Sequence, residues 1–310
     1  MGKEKVVYIL GSVRSGSTLT DLLLGSHPEV WTLGEAQLLP FELREQRDPC
    51  GCGSPITDCD FWNAVLPHIP LDTGKHPIGH FRESHSCRKT FRWREGVSLL
   101  SRVITSRQAR HARSYGELNA KYFSSVRREA VSRGSSVEWL VDASNGPYRP
   151  YWLLYSGQFD LRVIHLTKDP RAYVHSISRR LDSFSVQDII RWAARWTVGN
   201  LIHSALTRWH MQKEHYMHVR YEDLASSPNR FLRKFENWLG LESDKNSKKD
   251  VIRNYTNHAL SGNEMRWKDT KIYLDEKWKK EMSKRDKNIV WVISKFLAKR
   301  FGYREGHGQG

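Results

Sequence analysis

The sequence predicts an α/β fold: a single domain built on a parallel sheet flanked by helices. Three observations carry that expectation. Val6-Val7-Tyr8-Ile9-Leu10 is a short, continuous apolar run, the mark of a strand buried on both faces. A Gly- and Ser-rich turn follows, Gly11 to Gly16, and then Leu19, Leu22 and Leu23 recur at helical spacing. Val30 to Leu33 closes the unit as a second strand, and strand, turn, helix, strand implies parallel pairing.

The remaining elements follow in order. His27-Pro28 ends the first helix, and the second strand closes on Gly34-Glu35, with Ala36 onward helical. Residues 47–90 are rich in Pro, Gly, Cys and His with weak periodicity, and read as an irregular insertion passing over one edge of the site. Arg-loaded helical patterns run from Thr90 to about Arg133. Val137 to Asp142 is a strand, Pro150 to Tyr155 a helix, and Leu161 to Leu166 another buried strand. Pro170 opens a helix to about Arg180. Ser185 with Asp188 three residues on is a capping pair for a helix reaching about Trp209. Met217 to Val219 is a strand, and Ser227-Pro228 starts a helix that stops at Gly240. A Lys-rich tail from Lys245 holds one last amphipathic helix, Ile289 to Lys299, and 303–310 reads as a flexible tail. With no repeat and no linker, residues 1–310 form one domain.

Composition narrows the function classes. The chain has 310 residues, 50 Lys+Arg against 34 Asp+Glu, and a formal charge of +16. Its 12 Trp, 12 Tyr and 11 Phe exclude a disordered chain and support a proper core. No run approaches the ~18 apolar residues that span a bilayer. The apolar run after Met-Gly-Lys-Glu-Lys is too short for a signal-peptide core, and Val6 stands where a myristoylation pattern needs Ser or Thr. The expectation is a cytoplasmic protein. The charge excess is either a solvated basic surface or the mark of an anionic partner: nucleic acid, an acidic surface, a polymer or a phosphorylated ligand. Cys50, Cys52, Cys59 and Cys87 do not make a secreted disulfide framework. Cys-Gly-Cys with the third Cys seven residues on is not a standard zinc spacing, so a plain thiol cluster in a Gly/Pro loop is favoured over metal.

The turn Gly11-Ser-Val-Arg14-Ser15-Gly16-Ser17-Thr18 sits between a buried strand and a helix, where unpaired N–H groups and the helix dipole favour an anion. It has the spacing of the nucleotide-triphosphatase loop GxxxxGK[ST], but Ser17 replaces the lysine that reaches the outer phosphates. Arg14 supplies a cation inside the loop instead. A single 5′-phosphate carrying a transferable group fits this better than a triphosphate with magnesium. A second strand end, His165-Leu-Thr-Lys168-Asp-Pro-Arg171, places Lys168, Ser176 and Arg180 eight and four residues apart on the following helix. Two anion sites at two strand ends describe a nucleotide phosphorylated at both 5′ and 3′.

These residues resemble the PAPS-dependent sulfotransferases, in the bacterial and natural-product branch. Val6 to Glu35 is similar to the family's P-loop-like 5′-phosphosulfate loop, helix and acidic residue; Lys168 to Arg180 resembles its 3′-phosphate motif; Tyr221-Glu-Asp-Leu matches a further signature. The Cys-rich loop and the segment from His258 to Arg266 resemble that branch too. The resemblance implies that 3′-phosphoadenosine 5′-phosphosulfate is the co-substrate, with no metal in the reaction. Glu35 would be the general base and Arg14 the cation at the leaving oxygen. Ser15, Gly16, Ser17 and Thr18 would hold the 5′-phosphate, and Lys168, Ser176 and Arg180 the 3′-phosphate. Arg171 and Arg266 are weaker phosphate candidates, and Tyr221 would either contact the adenine or only pack against it. Two positions depart from the family: Lys168 replaces a bidentate Arg, and Asn145 stands where a Lys commonly assists the leaving group. That leaves the load on Arg14, or recruits Arg149 or Ser144.

The acceptor would be a soluble small molecule, such as a natural product, presenting a hydroxyl or amine. Trp31, Phe41, Phe61 and Trp62 are either its pocket or core. Two alternatives compete: a P-loop-type small-molecule kinase, weakened by the missing lysine, and a basic nucleic-acid-binding protein using the Arg-rich helices from Arg102 to Arg133. Neither nucleic acid nor membrane is the expected partner.

Overall fold

The computed structural model describes residues 2–69, 97–243, 251–252, 257–267 and 269–306. Five strands, β1 (Glu4–Gly11), β2 (Val30–Thr32), β3 (Trp139–Asp142), β4 (Phe159–Thr167) and β5 (Tyr216–Arg220), form one sheet in the order β2-β3-β1-β4-β5. Every pairing is parallel, with Val6 opposite both Leu140 and Leu161.

The apolar run of β1 is continuous because the strand is central and covered on both faces. Its residues alternate: Val6, Tyr8 and Leu10 point into one core, Val7 and Ile9 into the other, and all five are fully buried. The first core takes Tyr122, Phe123 and Trp152 from the helices Ser106–Ser132 and Arg149–Ser156. The second takes Leu19, Leu22 and Leu23 from the helix Ser17–Leu24, and Leu232 and Phe235 from Pro228–Leu239. Each such buried aliphatic side chain contributes about 1.5–3 kcal/mol. A third cluster joins the helices Pro170–Ser178, Val186–His210 and Lys284–Arg300 around Trp196 and Trp291. The capping box at Ser185 forms, with Asp188 donating its N–H to the Ser185 hydroxyl and accepting from the Ser185 N–H.

The topology positions the site. Strand order reverses around β1, so the crevice beyond the C-terminal ends of β1, β3 and β4 is the switch point of the sheet, where α/β folds bind ligands. Gly11, Asp142 and Thr167 end those three strands.

Two sequence expectations are corrected here. Residues 49–69 are not an excursion over an edge. Short helices at Ile56–Asp58 and Asp60–Val65 plant Ile56, Phe61, Trp62 and Val65 in the first core, so Phe61 and Trp62 are packing rather than pocket. Trp31 stacks on Phe61 at 5.3 Å, and Arg47 covers the ring of Phe41 at 4.0 Å. Residues 70–90 of that predicted insertion, with Cys87, lie outside the described residues, as do 307–310 of the tail. Tyr303 is buried and its hydroxyl meets Thr167 and Glu222, so 303–306 is anchored, not loose.

Candidate active site

The loop after β1 is shaped by its own side chains. Ser15 donates both its N–H and its hydroxyl to the Ser12 carbonyl, at 3.1 and 2.7 Å. Both donors thereby hold the turn together. Arg14 adopts a left-handed backbone, φ 71°, a conformation that costs a non-glycine residue about 1–3 kcal/mol and concentrates at functional sites. Gly16 has φ 98°, and a Cβ there would stand 2.5 Å from Cδ2 of Tyr221. Only glycine lets the loop lie against that ring. No side chain caps the helix Ser17–Leu24 and no acid occupies its first turn, so its N-terminal donors face the crevice. Asn145, itself at φ 55°, donates to the Ser17 hydroxyl at 3.1 Å. The residue that replaces the expected lysine therefore still reaches the loop, as a neutral donor.

β4 delivers the second cluster. Asp169 caps the helix Pro170–Ser178 by accepting from the Arg171 N–H, with Pro170 at its first position. Lys168 is buried, and its ammonium lies 4.4 Å from the centroid of the Tyr221 ring. Burial lowers its pKa, with Arg14 lowering it further and Glu222 and Asp275 opposing. Tyr221 thus stands between Gly16 and Lys168, joining the two loops. Its neighbour Glu222 accepts from the Asp169 N–H at 2.7 Å and the Tyr303 hydroxyl at 3.0 Å, which fixes the Lys168 turn. Burial pushes its carboxyl up to about 6. The Arg14 guanidinium has its pKa lowered by burial, then by Arg180 and Arg179. Positive charges from separate loops therefore crowd one place and repel, the arrangement expected of a site that awaits an anion.

On the other side of the loop, Ser17, Thr18 and Glu35 line one pocket with Asp21, Gly262 and Arg266. Gly34, φ 63°, is required by the main chain of Leu260, whose carbonyl would sit 2.3 Å from an added Cβ. The glycine therefore admits the main chain of a neighbouring segment. Leu260 donates to the Leu33 carbonyl and accepts from the Glu35 N–H, each at 2.8 Å, so residues 257–267 wall the pocket beside Glu35. Asp21, three residues beyond Thr18, has no sequence signature as a site residue. It is 3% exposed, and burial, Asp142 and Glu35 push its carboxyl well up, against Arg266. Asp275, near Arg14 and 3.9 Å from Arg179, is a second residue that sequence reasoning missed, within the Lys-rich tail.

Several proposed ligands are committed elsewhere. Arg149 is buried on Asp142 at 2.8 Å and Asn119 at 2.9 Å, with a further bond to the Tyr115 hydroxyl. Ser144 donates to Asp142 and accepts from the Gln37 N–H. Neither is available to a leaving oxygen. Arg171 forks onto Asp169, bonds the carbonyls of Arg304 and Glu305, and is flanked by Trp278 and Trp291. That is structural, not phosphate binding. Arg266 bonds the Pro49 carbonyl at 2.9 Å and belongs to the Glu35 pocket, away from Lys168. The Ser176 hydroxyl donates to the Tyr173 carbonyl within its own helix, and Arg180 is exposed at the end of that helix.

Among the described residues no helix is long and apolar enough to cross a membrane. No curated protein sequence matches the chain significantly. Over its full length it resembles the sulfotransferase domain of the Synechococcus PCC 7002 olefin synthase, at 22% identity and TM-score 0.55, covering 98% of this chain and 96% of that one. It also resembles the sulfotransferase domain of the curacin biosynthetic pathway, at 15% identity and TM-score 0.52, covering 98% and 99%. Those likenesses speak for the fold. The model of the sulfotransferase family matches residues 66–245, which contain the Lys168 and Tyr221 motifs, and the chain belongs to that family.

Proposed function

We propose that the protein is a cytoplasmic enzyme that moves a sulfuryl group from 3′-phosphoadenosine 5′-phosphosulfate to a hydroxyl or amine of a soluble small molecule. The observation that carries this reading is the shared pocket of Glu35 with Ser17 and Thr18: a carboxylate faces the first turn of an uncapped helix. In an in-line transfer the acceptor atom bonds to sulfur while the bond from sulfur to the phosphate oxygen breaks. The acceptor's proton passes to Glu35, and the electron pair leaves on the 5′-phosphate. Arg14 and the helix donors balance that charge, since stabilisation must be placed where charge develops. Asn145 orients the Ser17 hydroxyl toward the same oxygen. Lys168 and Arg180 take the 3′-phosphate, with the Ser176 hydroxyl turning from the Tyr173 carbonyl to donate to it, and Tyr221, held between Gly16 and Lys168, forms the floor between the two phosphates.

The test is turnover with labelled donor across an acceptor panel. Glu35→Gln is expected to lower turnover about 10²–10⁴-fold while adenosine 3′,5′-bisphosphate still binds as in the wild type. Wild-type turnover in that variant would remove Glu35 from the chemistry.

A further inference from the structure

The sulfurs of Cys50, Cys52 and Cys59 and Nδ1 of His258 all lie within 4.8 Å of one another. His258 is 199 residues from Cys59 in sequence, so no local spacing shows it as a fourth member. The separations are informative. Cys59 stands 3.6 Å from Cys50 and 3.7 Å from Cys52, sulfur to sulfur, and His258 Nδ1 is 3.2 Å from Cys59 and 3.6 Å from Cys50. A tetrahedral zinc ion, with Zn–S of about 2.3 Å and Zn–N of about 2.0–2.1 Å, sets edges of about 3.8 Å between sulfurs and about 3.5 Å from sulfur to nitrogen. The thiols are all free, at distances far beyond the ~2.05 Å of a disulfide.

From this geometry we infer that Cys50, Cys52, Cys59 and His258 bind one structural zinc ion. The inference stands apart from the sulfotransferase reading and revises the expectation of a metal-free thiol cluster. Four protein ligands leave no open position, which is the form of a structural site rather than a catalytic one. The surroundings hold the ligands in place. The His258 ring lies face to face on Phe61 at 4.5 Å, and its carbonyl accepts from the Trp62 indole at 3.1 Å. Cys50 donates its N–H to Ser54 and accepts at its carbonyl from Gly53 and from the Trp267 indole. Three thiolates and a neutral imidazole around Zn²⁺ carry one net negative charge, and the buried Arg266 guanidinium bonds the carbonyl of Pro49 beside it. Cys50, Cys59 and Ala259 are buried, whereas Cys52 is exposed and gives the ion a path in.

The ion would act as a clamp. Gly51 donates to the Ala259 carbonyl at 3.0 Å, so the cysteine loop already abuts the segment whose Leu260 pairs with Leu33 and Glu35. Zinc would lock the two together and fix the wall of the Glu35 pocket. Binding would release the three thiol protons, so affinity should fall as pH falls.

The experiment is metal analysis of the full-length chain, purified without chelator, followed by Co²⁺ reconstitution of stripped protein. One zinc per chain is expected, with tetrahedral cobalt absorption and thiolate-to-cobalt charge transfer. Cys52→Ala, at an exposed position that the core does not need, should lose most of the zinc and the charge-transfer band, as should His258→Ala. Folded, reduced wild type with less than a tenth of a zinc per chain and no cobalt spectrum would overturn the inference. So would full zinc retention in both variants, or an intact mass showing a disulfide among these cysteines. An inactive protein that carries its zinc would leave the inference standing, which separates its failure from that of the proposed activity.

Discussion

Arg149 and Arg14 follow the ends of β3 and β1 and are both drawn away from water, yet their surroundings differ in kind. Arg149 is enclosed by Asp142, Asn119 and Tyr115; burial lowers its pKa, but Asp142, Tyr115 and Tyr8 outweigh that and raise it. Arg14 is half-buried with Arg179 and Arg180 nearby; its pKa is lowered, and its Nε meets no hydrogen-bond partner among the described residues. Arg171 belongs with Arg149, held by Asp169 and two carbonyls, and Lys168 with Arg14. A buried cation whose partners are internal holds the fold together, whereas Arg14 and Lys168 come together from separate loops with Asp275 and Glu222 offsetting only part of the cost, and the proposed donor phosphates would supply the rest. All of these residues are basic groups at strand ends, so sequence places them in one class. The fold divides them.

The largest expected effect that could break this division is on stability. Arg149→Met strands the Asp142 carboxylate in the core and should cost about 3–5 kcal/mol in denaturant unfolding. A loss under 1 kcal/mol would show that the pair is not the structural anchor described. Next, Arg14→Ala should lower turnover about 10²–10³-fold, some 2.7–4 kcal/mol, with the melting temperature unchanged or raised because a repelled cation is gone while the left-handed backbone stays as it was. Lost stability there would move Arg14 into the Arg149 class.

The third effect is spread over pH and concerns buried histidines. His203 and His218 are held down to about 4 by burial, and His165 lies well below its ordinary value from burial and its two histidine neighbours. In the unfolded chain each takes up a proton near 6.5. As pH falls from 6.5 to 4 the unfolded state binds more protons and stability drops. Glu222, raised to about 6, and Asp21 act in the opposite sense, because the folded state holds their protons first. Three histidines against two carboxyls leave a net loss, about 1.4 kcal/mol per pH unit for each one uncompensated. Thermal melts across that window should show it, and a melting temperature that rises on acidification would contradict it.

What could be read from the sequence was local. β1, its loop, the Lys168 turn and the capping box at Ser185 are each specified by residues within a few positions of one another, and each is where the pattern put it. What could not be read depends on contacts between distant segments. The partners of Arg149 and Arg171, the approach of Leu260 to Gly34 and the place of His258 among the cysteines all need the folded chain. Asp21 was hidden for another reason: a single acid on an amphipathic helix looks solvated, and only its 3% exposure shows otherwise. The core role of residues 56–65 escaped because their helices are one or two turns long, too short for a period to stand out.

The most direct test of the central claim, that the crowded cations await a doubly phosphorylated nucleotide, is a thermal shift with adenosine 3′,5′-bisphosphate on the wild type and on Arg180→Ala. At a hundredfold its Kd the ligand should stabilise the wild type by about 2.7 kcal/mol. In Arg180→Ala the unliganded melting temperature should hold or rise while the ligand-induced shift shrinks. No shift in the wild type, or an equal shift with ATP and magnesium, would contradict the account.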